Sequence, residues 1–382
     1  MNIKKSVVAV VAMWCVLTAG FLFAAEAPFD HTSSAILGMG GVNLLTTEQA
    51  APLIYNPAAL AYLKQIKISS EFLSLGFNSG ILEIYELYKD PEMKRVMNGE
   101  EEWQNASSDL KNKMLVHRLA QLRLASDANV MFPVEAVGNF GLGVYGDIKG
   151  TIETDKGIYV PAARLNYLRD FAVITSFARS YKLPFWERYL DPFAFGLNLK
   201  YLQRQKMGDL RTLVDYQKFS FIQSLHKGWG LGLDLGATYK MSEDRLGLAL
   251  VFKDIGNTTL KWDNNDSTAI LSRFNFGAAY QPRKLYYWKD KYLTLKDNLI
   301  LAADINDIGR YEDFYKRIHL GAEFSYGLFS VSGGFNQGYP TFGLGLKLGL
   351  ARLNYAYYGV ERGVFAGQDV DYNQSFSLSV IY

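Results

Sequence analysis

The four histidines and the single cysteine are the side chains of this sequence best suited to catalysis or metal binding. The histidines are His31, His117, His226 and His319. They are too widely scattered to form the pair on one helix face that binds zinc in metalloproteases. Cys15 has no second cysteine with which to form a disulfide or a thiolate metal site. We therefore predict that the chain binds no metal ion.

Sequence motifs for enzymatic catalysis are missing as well. There is no G-x-S-x-G nucleophile motif and no Walker phosphate-binding loop. Two glycine clusters, Gly230-Leu231-Gly232 and Gly343-Leu344-Gly345, lie inside alternating segments that no helix follows. Glycines in that position give the inside of a barrel room and curvature. We predict that the protein is not an enzyme and has no cofactor.

Apolar residues follow a two-residue period from about Phe193 to the C-terminus. The alternating segments are roughly ten residues long and are separated by turn residues. Beginning at Trp229, for example, leucines alternate with glycines and one aspartate up to Tyr239. A period of two predicts strands that have two different faces.

The two faces of these strands indicate a membrane protein rather than a soluble sandwich. One face is apolar, the other carries mostly Gly, Ser, Asn and Ala, and aromatic residues recur at strand ends, as at a membrane interface. An apolar outside and a polar inside are typical of a transmembrane β-barrel, which must close because an open edge would leave backbone groups unpaired in lipid. The polar candidates for its lumen are Asp234, Lys253, Asp304, His319 and Glu323.

The predicted fold is all-β, a closed antiparallel transmembrane β-barrel of about 14 strands within residues 64–382. Placing the C-terminus in the periplasm puts the short turns at Gly327 and Gly349 inside and the long connections outside. The long connections are residues 206–227, 257–267, 308–315 and 361–371. The last strand, with Phe376 and the final Tyr382, resembles the C-terminal insertion signal of bacterial outer-membrane barrels. This resemblance implies that the barrel-assembly machinery is a partner during insertion.

Residues 1–25 are predicted to be a secretory signal peptide. Lys4 and Lys5 precede a charge-free apolar run over residues 6–23, and cleavage is expected after Ala25; an uncleaved anchor helix is the alternative. Cleavage would remove two of the 40 basic residues and leave 38, equal to the 38 acidic residues. A neutral chain without longer runs of Lys and Arg is not expected to bind nucleic acid.

Two stretches of the chain lack the two-residue period. Residues 26–63 precede the first strand and are long enough to fold back into the barrel as a plug. Residues 80–124 have helical spacing with breaks at Pro91 and Gly99, and strand parity places this helical insertion outside the cell. The insertion could cap the pore, meet a partner or shield the rim, and the sequence leaves these roles open.

Two motifs in residues 26–63 resemble the N-terminal hatch of the FadL-like outer-membrane channels, which include PorV/PorQ-type and TraF-like relatives. They are the Gly-Gly-Val element at Gly40 and Gly41, and the segment Asn56-Pro57-Ala58-Ala59-Leu60. Downstream, residues 252–257, 302–305, 319–323 and 353–357 follow in the order of that group. The resemblance implies hatch or gating roles for Gly40, Gly41, Asn56, Pro57 and Ala58. The alternative is that Asn56 and Pro57 form only a turn before the first strand.

The resemblance also implies a function, a channel in the bacterial cell outer membrane for hydrophobic or amphipathic small molecules such as long-chain fatty acids. The expected partners are the lipid bilayer and a hydrophobic ligand. A neutral chain with a glycine-rich lumen would not steer ions. The alternative function is a barrel component of a protein secretion or assembly system, which would bind a protein partner through residues 80–124.

Overall fold

The computed structural model describes residues 26–29, 31–45, 52–115, 118–155, 162–182, 192–212, 225–241, 245–282, 299–308 and 313–382. The predicted signal peptide and His117 lie outside the described residues.

Strands make up most of the described chain. They are β1 (Lys67–Asn78), β2 (Arg118–Val134), β3 (Gly138–Asp155), β4 (Ala162–Tyr181), β5 (Phe193–Thr212), β6 (His226–Met241), β7 (Leu246–Lys253), β8 (Thr258–Trp262), β9 (Ser267–Ile270), β10 (Arg273–Tyr280), β11 (Leu299–Ile308), β12 (Ile318–Tyr326), β13 (Phe329–Asn336), β14 (Tyr339–Leu348), β15 (Ala351–Glu361) and β16 (Val370–Ile381).

The helices are short. They are α1 (Ser34–Gly38), α2 (Pro52–Tyr55), α3 (Gly80–Lys89), α4 (Pro91–Met97) and α5 (Ser108–Leu115), with 3-10 helices at Pro57–Tyr62, Trp103–Asn105 and Phe314–Arg317. Within the described ranges, no helix has the length and apolar content needed to cross a membrane.

Fourteen of the strands form one closed antiparallel barrel, which confirms the predicted fold. Every strand pairs with its neighbours in the wall, and the first strand β1 pairs with the last strand β16, from Ser69 opposite Ile381 to Asn78 opposite Asn373. Strands β5 and β6 pair along their length and complete the ring. Closure leaves no open sheet edge in the lipid.

The alternation along each strand places apolar residues outside and small or polar residues inside. On β6, Trp229, Leu231 and Leu235 are exposed on the outer surface, whereas Gly232 and Asp234 between them are buried. Aromatic pairs lie at both ends of the wall. Tyr357 and Tyr372 stack with ring centroids 5.4 Å apart, and Phe193 and Tyr239 stack at 4.5 Å. This exterior is that of a barrel in the bacterial outer membrane.

The wall is taller on one side than on the other. Strands β3, β4 and β5 contain 18, 20 and 20 residues, whereas β7 and β10 contain 8 each. Here and below, the outer end of the barrel is the end opposite the C-terminus and the turns at Gly327 and Gly349. The tall side rises at this outer end.

The connection at residues 257–267, predicted as an outer loop, contains most of a hairpin formed by β8 and β9. A Cβ atom built on Gly230, on the inner face of β6, would lie 2.4 Å from the Thr259 carbonyl oxygen. Leu260 and Ile270 are fully buried. The hairpin therefore packs inside the tall part of the wall. This position gives its leucine and isoleucine side chains a buried apolar environment.

The helical insertion ends earlier than the sequence indicates. Its helices share a small apolar core of Leu87, Met93, Val96, Ala106 and Leu110. Strand β2 begins at Arg118, however, so residues 118–124 belong to the barrel wall. Leu119 and Leu122 have a spacing that looks helical, but their backbones pair with Glu153 and Gly150 of β3.

Candidate functional site

The described parts of residues 26–63, called the N-terminal segment below, contact the inner face of the barrel. Helix α1 packs against β13 to β16, and the 3-10 helix Pro57–Tyr62 packs against β3 to β6. Phe29, Ile54 and Tyr55 join a buried apolar cluster with Tyr145 of β3 and Leu260 of the β8–β9 hairpin. The segment is thus held across the lumen by opposite sides of the wall.

Asn56 joins two parts of the N-terminal segment to each other and to the wall. Its side-chain oxygen accepts a hydrogen bond from the Ala58 N–H at 3.0 Å and caps the 3-10 helix that begins at Pro57. Its Nδ2 atom donates to the Leu44 carbonyl at 2.8 Å and to the Thr238 hydroxyl at 2.9 Å. Asn56 is fully buried, and these bonds satisfy its carbonyl oxygen and its two N–H donors.

The wall approaches this capped turn closely because glycines face it. A Cβ atom built on Gly196 of β5 would lie 2.3 Å from the Pro57 carbonyl carbon, and one on Gly236 of β6 would lie 2.7 Å from Asn56 Oδ1. Ala58, which follows Pro57, is also fully buried at this contact. Larger side chains at these wall positions would push the turn inward.

Gly40 and Gly41 form the second close contact with the wall. Both have positive φ angles, +77° and +82°, and a Cβ atom on Gly40 would lie 2.0 Å from the Leu320 carbonyl oxygen. His319 Nδ1 lies 3.1 Å from the Gly40 carbonyl oxygen, a hydrogen bond in the tautomer that protonates this nitrogen. Glycine is therefore required at position 40 both by backbone conformation and by space.

The five polar residues predicted for the lumen differ in what they contact. Asp304 accepts hydrogen bonds from the backbone N–H groups of Asn43 at 2.6 Å and Leu44 at 3.1 Å, so it holds the N-terminal segment as His319 does. Glu323 lies further along β12, where it accepts a hydrogen bond from Ser325 at 3.4 Å. Asp304 and His319 are direct neighbours across the β11–β12 pair.

Asp234 and Lys253 belong to the other side of the lumen. Asp234 pairs with Lys200 at 2.7 Å and accepts a hydrogen bond from the backbone N–H of Asp254 at 2.9 Å. Lys253 lies over the ring of Tyr55, with its ammonium group 5.9 Å from the ring centroid. Of the five predicted lumen residues, Asp304, His319 and Lys253 thus contact the N-terminal segment, and the five do not form one cluster.

Two buried arginines that the sequence did not single out also bind the N-terminal segment. Arg123 forms hydrogen bonds of 3.2 and 2.9 Å to Asp147 and donates to the Thr32 carbonyl at 3.2 Å. Arg204 is paired through two 2.7 Å bonds with Asp170 and donates to the Ala27 carbonyl at 2.6 Å. Such charge-assisted bonds are stronger than bonds between neutral groups. In the sequence, these arginines could have been found from the alternation that places them on the inner face of β2 and β5.

A buried polar cluster lies where β1 is irregular. His31 Nε2 lies 3.0 Å from Asp127 Oδ2, and the Glu71 N–H donates to Asp127 Oδ1 at 3.0 Å. The pairing of β1 with β16 shifts between Glu71 and Leu73, so that Phe72 and Leu73 both face outward. The bulge directs the Glu71 side chain into the protein, where it is fully buried.

A cavity of about 210 Å³ lies beside the N-terminal segment, at the outer ends of β11 and β12. Its lining includes the cationic residues Lys253, Arg273, Lys316 and Arg317 and one carboxylate, Asp307. Arg273 Nε is 3.7 Å from Asp307 Oδ1, and Arg273 Nη2 is 3.3 Å from Oδ2 of Asp254, which is not part of the lining. Because cations outnumber carboxylates, the cavity favours a negatively charged group.

The described residues contain no group of three or more His, Cys, Asp or Glu side chains placed to hold a metal ion. No family model matches the chain, and no curated protein matches its sequence.

Solved structures do resemble this one. The toluene transporter TbuX of Ralstonia pickettii matches with a TM-score of 0.52 at 12% identity, over 91% of this chain and 98% of its own. The toluene transporter TodX of Pseudomonas putida matches with a TM-score of 0.47 at 13% identity, over 94% of this chain and 99% of its own. The likeness to TbuX shows a shared fold. Both neighbours are toluene transporters, and kinship of this chain with PorV/PorQ-type and TraF-like proteins stays a prediction.

Proposed function

We propose that this barrel is an outer-membrane channel for hydrophobic or amphipathic small molecules and that the N-terminal segment is its hatch. The observation that carries the proposal is the set of buried, noncovalent contacts between this segment and opposite sides of the lumen, centred on Asn56, Gly40, Arg123 and Arg204. Contacts of this kind can be broken and remade, as a gate requires.

The size of the barrel supports a gate rather than a simple filler. A barrel of about eight strands has a lumen that side chains alone can fill, and the diameter grows with strand number. This chain has 14 strands in its wall and uses a whole segment to fill the lumen. Without the segment the wide lumen would be open, so movement of the segment would open a path for solutes.

The cavity at the outer ends of β11 and β12 indicates which solutes the channel could accept. Its lining also includes apolar groups of the N-terminal segment, Leu37, Ile54 and Tyr55, and Lys253 lies over the Tyr55 ring. An amphipathic molecule with a carboxylate head could place its charge against the cations and its chain against these groups. We therefore include long-chain carboxylic acids, and not only neutral hydrocarbons, among the solutes.

The test is uptake of a labelled long-chain fatty acid and of toluene by proteoliposomes that contain the Lys253→Met variant. Removing one cation from the cavity should lower fatty-acid uptake several-fold and leave toluene uptake unchanged, because toluene has no charged head. The matched control is Lys347→Met, an exposed lysine near the opposite end of the barrel. Unchanged fatty-acid uptake, or an equal fall for both solutes, would contradict the proposed role of the cations.

A further inference from the structure

Helix α3 begins at the level of the aromatic residues that mark the outer membrane boundary. Strand β1 ends at Asn78, which pairs with Asn373 of β16, and α3 starts two residues later at Gly80. The next residue on β16 is Tyr372, which stacks on Tyr357 with centroids 5.4 Å apart and faces outward. Stacked, outward-facing tyrosines at strand ends are typical of the lipid headgroup layer.

The contact between α3 and β2 indicates on which side of the wall the helix lies. Even-numbered residues of β2 face the lipid, and Leu122 and Leu124 are exposed to 43% and 37%. Ala120 has the same parity but is only 6% exposed. Helix α3 packs against β2, and a Cβ atom on Gly80 would lie 3.2 Å from the Ala120 nitrogen. The same Cβ atom would lie 1.7 Å from the Leu119 carbonyl oxygen, so α3 begins directly beside the backbone of β2 at the level of the buried Ala120.

The exposed surface of α3 carries an apolar and aromatic strip beside the charged residues Glu83, Glu86 and Lys89. Leu82, Tyr85 and Tyr88 are exposed to 66%, 50% and 55%, although the helix buries Leu87 in the core of the insertion. Large apolar side chains exposed on an extracellular helix would be unfavourable in water. In the headgroup layer, a tyrosine places its ring among lipid and its hydroxyl in water.

Two lysines border this surface. Lys89 lies over the ring of Tyr85, 4.2 Å from its centroid, and Lys94 lies 5.8 Å from the centroid of Tyr88. Helices that lie in a membrane interface combine an apolar aromatic face with cationic side chains whose charged ends reach the aqueous side. The arrangement around Tyr85 and Tyr88 has both features.

We propose that α3 lies in the headgroup layer of the outer leaflet and that the face formed by Leu82, Tyr85 and Tyr88 contacts lipid. The occupant of this face is the membrane because the face continues the lipid-facing surface of β1, β2 and β16. The helical insertion would then anchor the tall side of the barrel to the membrane surface. This inference does not depend on transport.

The test uses an environment-sensitive NBD label on single cysteines at Leu82→Cys and Tyr85→Cys, in a Cys15→Ser background without other cysteines. The protein is reconstituted in vesicles of brominated phospholipid, and its altered gel migration before and after boiling verifies the folded barrel. We expect blue-shifted emission and quenching by the bromines at both positions. The control is Gln104→Cys, an exposed site elsewhere in the insertion, which should show neither effect.

Two results would overturn the proposal. If labels at 82 and 85 respond to aqueous iodide as the label at 104 does, the face is in water and available to a protein partner. If they are shielded from iodide and from the bromines alike, the face is covered by the protein itself. Only quenching by the brominated lipid supports the membrane as the occupant.

Discussion

Asn56 joins two parts of the N-terminal segment to each other and to β6. Its three hydrogen bonds join the cap of the 3-10 helix, the Leu44 carbonyl and the Thr238 hydroxyl. Leaving buried polar partners unsatisfied is more costly than losing an exposed bond, since water cannot replace the missing group.

We expect Asn56→Ala to loosen the N-terminal segment without opening the barrel wall. Lost buried hydrogen bonds cost about 1–3 kcal/mol, and each 1.4 kcal/mol changes a population about tenfold. The open population should rise accordingly, which conductance in planar bilayers would record as more frequent openings. Asn166→Ala is the control, because Asn166 is exposed and donates to Thr151 on the wall. Equal conductance of the two variants would show that Asn56 does not hold the gate.

Some residues of the candidate site can be recognised in the sequence and others cannot, for a physical reason. Asn56 and Gly40 belong to short motifs. The helix cap formed by Asn56 and the positive φ angle of Gly40 depend on neighbouring residues, so both can be recognised within one segment of sequence. Arg123 and Arg204 gain their roles from partners on neighbouring strands, Asp147 and Asp170. Such pairs become visible only when the register between strands is known.

Among the elements, the strands of the C-terminal half were the most predictable. The alternation from Trp229 to Lys240 is required by a wall with lipid on one side, and the strand follows it closely. The start of β2 was less predictable because residues 118–121 extend beyond its pairing with β1, which ends where Leu122 lies opposite Phe77. The β8–β9 hairpin was missed because its strands are only 5 and 4 residues long.

The stability of the helical insertion should fall at acid pH because of Glu92. Its carboxylate accepts hydrogen bonds from the hydroxyl and N–H of Ser107, and these bonds lower the pKa of Glu92 below its ordinary value of 4.5. A lowered folded-state pKa means that this stabilisation is fully present above pH 4.5 and is lost as the pH falls through the lower value. The insertion should therefore loosen in acid.

Hydrogen exchange around Leu110, corrected for the intrinsic rate, measures this effect. We expect faster exchange at about pH 3 than at about pH 6, and Glu92→Gln should reduce the difference because it cannot ionise; Asp90, whose pKa is also lowered, accounts for the remainder. The wall strands β14 and β15 provide an internal reference within the same sample. An undiminished pH dependence in Glu92→Gln would assign the effect to another group.

At the scale of the whole molecule, closure of the barrel and filling of its lumen are separate features. Fourteen paired strands form the wall without the N-terminal segment, whose contacts to the wall are side-chain bonds and close backbone packing. A segment attached in this way can move while the barrel remains intact. We propose that solutes pass only when the segment moves.

A reversible tether between segment and wall tests that claim most directly. The hydroxyl oxygens of Ser34 in α1 and Ser375 in β16 are 2.7 Å apart, and both side chains are buried. In a Cys15→Ser background, the pair Ser34→Cys and Ser375→Cys can therefore form a disulfide that fixes α1 to the wall.

The measurement is uptake of a labelled fatty acid by proteoliposomes before and after reduction, with each single variant as control. We expect oxidation to block uptake in the double variant and reduction to restore it. Equal uptake in the oxidised and reduced states would contradict a gate made by the N-terminal segment.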